Sequence, residues 1–94
     1  MSEYVTFEME STDDPNVMLL ITNQDLTQEE NGEYYPTPEE GEAGSPIAQT
    51  LFFGVSGIQS LTIEGNTLII TRQDDVLWEL LLDDIRNALR DFFL

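Results

Sequence analysis

The chain has 94 residues, 19 of them acidic against three arginines, with no lysine, histidine or cysteine and a formal net charge of −16. That length bounds the answer at one small domain with a single core and little room for a deep cleft. The charge disfavours nucleic acid and membrane partners, whose phosphates are recognised by Lys and Arg, and the missing thiols and imidazoles remove the usual ligands of iron–sulfur clusters and of zinc.

Residues 4–10 alternate, with Val5, Phe7 and Met9 on one side and Thr6, Glu8 and Glu10 on the other, which is the period of a half-buried strand. Residues 11–16 form a turn cluster in which Pro15 sets φ and the aspartates bond back to the backbone. The apolar, partly branched run 17–22 predicts a second strand. Residues 23–44 predict a mobile acidic surface loop, since positions 29–44 alone hold six glutamates, two prolines and three glycines. Within that loop Tyr34 and Tyr35 could add a brief edge strand before Pro36 stops pairing, or anchor a segment that orders on a partner.

Ser45 is a good N-cap and Pro46 suits the first helical position. Ala48, Leu51 and Phe52 then form an apolar stripe, and Gly54 and Gly57 bracket the end. Residues 58–63 read as a strand carrying Ile58, Leu61 and Ile63, with Leu61 offset from Ile58. Gly65-Asn66 is hairpin chemistry, and 68–72 is the return strand. Gln73, Asp74 and Asp75 are expected to cap a last helix of about four turns, acidic at its positive end. Its stripe is Trp78, Leu81, Leu82, Ile85, Leu89 and Phe92, with Trp78 packing in the core. Leu80 lies off that stripe and, with Phe93 and Leu94, is a candidate exposed apolar patch. The segments sum to β-β-α-β-β-α: an α+β, two-layer fold with an antiparallel sheet of about four strands covered on one face by two helices.

Reaction chemistry is missing from this reading. General bases are most often histidine, and no Lys or His stands ready to activate Ser or Thr. The pairs Asp13/Asp14, Asp74/Asp75 and Asp83/Asp84 are sequence neighbours, whose side chains diverge. No calcium-loop spacing occurs, and Gly54-x-x-Gly57 lacks the lysine of a phosphate loop. The expectation is a non-enzyme with no cofactor, no metal site, and neither nucleic acid nor membrane as partner. With no apolar stretch near the ~20 residues that span a bilayer and no signal-peptide pattern at the start, a soluble, cytoplasmic protein is expected.

The run 45–58, Ser-Pro-Ile-Ala-Gln-Thr-Leu-Phe-Phe-Gly-Val-Ser-Gly-Ile, followed by Gly65-Asn66, the strand ending at Arg72, and Trp78, resembles the N-terminal domain of Nfu/NifU-type iron–sulfur scaffold proteins. Pro15-Asn16 looks like that family's Pro-Asn element. The family often has lysine where this chain has Leu19 and Arg72, so one basic position is lost. Its cluster-binding Cys-x-x-Cys belongs to a separate C-terminal domain, and nothing like it occurs here. The resemblance implies a stand-alone version or an excised domain with an accessory role, engaging an iron–sulfur scaffold, carrier or recipient protein without holding the cluster. Candidate interaction residues are Pro15, Asn16, Tyr34, Tyr35, Arg72 and Leu80. Two other readings stand beside it: an acidic regulator or decoy that binds basic proteins, and a metal or small-ligand site in the acidic loop at 29–42. If the acidity is instead an adaptation to a saline cytoplasm, the melting temperature climbs steeply with added salt as self-repulsion is screened; a flat dependence contradicts it.

Overall fold

A computed structural model describes residues 5–93. Five strands form one antiparallel sheet: β1 (Phe7–Ser11), β2 (Val17–Thr22), β3 (Glu33–Tyr35), β4 (Ile58–Glu64) and β5 (Thr67–Arg72), in the order β1-β2-β5-β4-β3. Three helices, α1 (Pro38–Glu42), α2 (Pro46–Gly54) and α3 (Trp78–Phe92), complete an α+β domain. The expectation of about four strands and two helices therefore gains β3 and the five-residue α1. No helix among the described residues is long and apolar enough to cross a membrane.

The strands obey period two, and that decides the layers. Leu20, Leu61, Ile63, Leu68 and Ile70 are all at most 1% exposed and face the helices. Their neighbours Leu19, Thr62 and Ile69 stand on the opposite, uncovered face, only partly buried. From the helical layer come Ile47, Ala48, Leu51 and Phe52 of α2, and Leu81, Leu82, Ile85 and Leu89 of α3, all buried. The irregular spacing of Ile58 and Leu61 has a structural cause. A bulge between Ile58 and Ser60 shifts the register against β5, so both apolar residues reach the core. The β4–β5 turn is a two-residue hairpin with Gly65 at φ 56° and Asn66 at negative φ, the pattern of a II′ turn.

Local chemistry starts α2 as the sequence predicts. Ser45 Oγ accepts from the Ala48 N–H at 3.3 Å and Pro46 opens the helix. The start of α3 differs. Its N-cap is Leu77, with no side-chain cap, whereas residues 73–75 were expected to do that work. The chain instead turns ahead of the helix, with Asp75 in the left-handed region at φ 66° and the Val76 carbonyl accepting from Arg72 Nη1 at 2.8 Å.

Within 23–44 the composition conceals order. Thr37 accepts from the Glu40 N–H, Pro38 opens α1, and Glu39 and Glu40 fall in its first turn, where acidic residues suit the helix dipole. Leu26 is only 4% exposed and joins the core. Gly41 is buried against Phe52: a Cβ there would come within 2.0 Å of the ring, so only glycine lets α1 lie on α2.

Two expectations for side chains are corrected. Met9 points toward the helical layer yet is 48% exposed, because β1 ends the sheet and the core stops short of it. Phe92 is exposed, while Phe93 turns back and packs against the core, so the apolar patch pictured at 93–94 is not formed by Phe93. Tyr4 and Leu94 lie outside the described residues.

Candidate interaction surface

Four of the residues singled out in the sequence converge on one corner of the sheet. In the β1–β2 turn, Asp14 Oδ1 accepts from the Asn16 N–H at 2.8 Å, and the Thr12 hydroxyl bonds to the Asp14 and Val17 carbonyls. This presents the Pro15 and Asn16 carbonyls toward β5 and α3. The Arg72 N–H donates to Asn16 O at 2.9 Å and its Nε donates to Asn16 Oδ1 at 3.1 Å. Its guanidinium carbon sits 5.4 Å from the centre of the Trp78 ring. The Trp78 indole N–H donates to Pro15 O at 2.9 Å. Trp78 thus packs on the edge of the core rather than within it, partly buried, because its N–H needs a polar partner at the rim. Pro15, Asn16 and Arg72 form an internal clamp that sets the ring of Trp78.

Beside this clamp lies a groove of about 500 Å³ between β1 and α3. Met9, Met18, Trp78, Leu80 and Leu82 form its apolar walls; Glu79, Asp83 and Arg86 edge it. Leu80 is 64% exposed, and Leu77, one turn earlier, is 62% exposed. Arg86 is held at 3.5 Å from Asp83 and at 3.6 Å from the Met9 sulfur. Sequence reasoning found Leu80 by its position off the helical stripe. It missed Met9 and Met18: alternation puts Met9 on the apolar side and Met18 lies in an unbroken apolar run, and neither pattern shows where the core ends.

The two tyrosines separate. Tyr34 pairs with Thr62 and faces the uncovered side of the sheet, 64% exposed, in the row that continues through Ile69 and Leu19. Tyr35 turns toward the helices and meets Phe52 edge-on, with ring centres 6.5 Å apart. Its hydroxyl donates to Glu33 Oε1 and accepts from the Ser45 N–H. Burial pushes the Glu33 carboxyl up, but hydrogen bonds from Ser45, Thr27 and Tyr35 outweigh it and hold the group below its ordinary value. Tyr35 is therefore a structural post at the β3 edge, and Tyr34 stands apart from the groove.

All three arginines are engaged within the molecule: Arg72 by the clamp, Arg86 by Asp83, and Arg90 over the Phe7 ring at 5.4 Å and near Asn87 Oδ1 at 3.4 Å. No group of three or more His, Cys, Asp or Glu among the described residues could hold a metal ion.

Fold and surface define a small two-layer α+β domain whose chain, lacking cysteine, cannot ligate an iron–sulfur cluster in the usual way. The chain belongs to the family described as scaffold protein Nfu/NifU N terminal, whose model matches residues 7–94. That family is a scaffold-protein domain rather than a catalytic one. The fold is similar to that of a NifU-like protein from Saccharomyces cerevisiae solved by solution NMR, with a TM-score of 0.76 at 20% identity, covering 93% of this chain and 76% of that one. It is also similar to the crystal structure of a Staphylococcus aureus protein, with a TM-score of 0.71 at 13% identity, covering 87% of this chain and 94% of that one. No individual curated protein matches the chain in sequence.

Proposed function

We propose that this domain is a non-catalytic accessory in iron–sulfur cluster assembly or transfer, engaging a scaffold, carrier or recipient protein while leaving the cluster to that partner. One observation carries the reading: a scaffold-family match over residues 7–94 in a chain with no cysteine and no histidine. The exposed apolar groove supports it, since a patch of this kind on a small domain marks a contact surface, and the acidic field would hasten encounter with a basic partner face.

The test is cluster transfer from a loaded scaffold to an apo recipient, followed by visible circular dichroism with and without the domain, alongside co-elution at moderate salt. Binding to one of the two proteins, or a changed transfer rate, is expected. Absence of both effects rejects the role. Equal binding to unrelated basic proteins that vanishes as salt rises would replace it with the acidic-decoy reading.

A further inference from the structure

Among the described residues β1 stands at one end of the sheet order, so the side of its backbone away from β2 is a sheet edge. Such an edge is a template for another strand. Along it the two faces differ in chemistry. Phe7, Met9 and Ser11 pair with Thr22, Leu20 and Met18 and point to the helical side, where Met9 opens into the groove walled by Trp78 and Leu80. Glu8 and Glu10 pair with Ile21 and Leu19 and point to the uncovered face, where their cross-strand neighbours offer no countercharge.

We propose that this edge and groove together take up an extended segment of a partner protein in which apolar and basic residues alternate. The incoming strand would lie about 4.8 Å from β1, its alternate side chains pointing to opposite faces. The apolar set extends the core into the groove between Met9 and Leu80. The basic set falls beside Glu8 and Glu10, within cross-strand reach. On the groove side Asp83 is already paired with Arg86, and the remaining acid, Glu79, stands exposed at the groove's edge, outside the apolar walls. A second copy of this chain is the wrong occupant: edge-to-edge pairing would set Glu8 and Glu10 of two chains together, each molecule carrying −16. This inference deepens the accessory role and rests on it, since it names how that partner would be held.

Trp78 is the only tryptophan of the chain and lines the groove, so its emission reports occupancy. The probe is a synthetic decapeptide alternating valine and lysine. Controls replace lysine by glutamate, or N-methylate alternate amides to block strand pairing. The lysine peptide is expected to shift Trp78 emission and slow exchange of β1 amides, and both controls are expected to fail. Leu80→Glu should weaken binding about tenfold, the scale of a truncated contact at the centre of an interface. It does so although it adds negative charge, which separates packing from simple attraction. Met9→Lys, at a second exposed position, should weaken binding likewise, with far-UV circular dichroism confirming that both variants fold. An unmoved Trp78 signal, equal binding of the glutamate or N-methylated peptide, contacts mapping to the Tyr34 face, or a dimer formed through β1 would each overturn the proposal. Scaffold binding that survives Leu80→Glu keeps the accessory role and overturns this site; peptide uptake without any scaffold effect does the reverse.

Discussion

The two edges of one sheet are finished in opposite ways. At the β3 edge, a three-residue strand is roofed by α1 and α2, and Gly41 and Gly44 bring backbone against the rings of Phe52 and Tyr35. The Glu33 carboxyl there is held by Ser45, Thr27 and Tyr35. At the β1 edge a longer strand is flanked by a groove, and Met9, Leu77 and Leu80 remain exposed. Apolar side chains packed by the fold itself serve stability, whereas a clamp that positions Trp78 and then leaves its neighbours bare suits a surface meant for contact. The contrast gives the structural work to one edge and leaves the other open, as the proposed interaction requires.

Mutations test that assignment most sharply at the closed edge. Phe52→Ala removes a ring that meets Tyr35 and Gly41 and should cost about 3–5 kcal/mol, read as a lowered urea midpoint. Arg72→Lys keeps the charge but loses the guanidinium contact over the Trp78 ring and the Nε bond to Asn16; a loss of about 1–2 kcal/mol and a changed near-UV signal from Trp78 are expected. Met9→Ala at the open edge should cost less than about 1 kcal/mol, because the side chain is half exposed and leaves no closed cavity. A loss at Met9 equal to that at Phe52 would erase the distinction between the edges.

The smallest effect is a pH slope. A carboxyl whose folded value is depressed contributes stability that is present above its ordinary value of 4.5 and is lost as pH falls through the lower folded value. Glu33→Gln should therefore lose less stability than the parent chain between pH 4.5 and that lower value, as measured by thermal melts across the window. Comparing the two chains cancels the general relief of acidic repulsion on protonation, which both share. Identical slopes would mean that the Ser45, Thr27 and Tyr35 bonds do not favour the ionised form.

Elements with strong local signals were legible in the chain: the alternating strand around Phe7, the branched run at 17–22, the Ser45-Pro46 cap, the Gly65-Asn66 turn and the stripe from Leu81 to Leu89. The family, too, could be read from those blocks. α1 was hidden because its Thr37-Pro38 start sits in a glutamate-rich run whose composition resembles loop, and its order depends on the close approach of Gly41 to Phe52. Pro15, Asn16 and Arg72 were visible as candidates, but not as partners in one clamp: 56 positions separate Asn16 from Arg72, and only the antiparallel register of β2 with β5 brings them together. The groove belongs wholly to the tertiary structure. Period two tells which way Met9 points, but whether anything covers it depends on where α3 lies across the sheet, and that is settled by packing among residues distant in sequence.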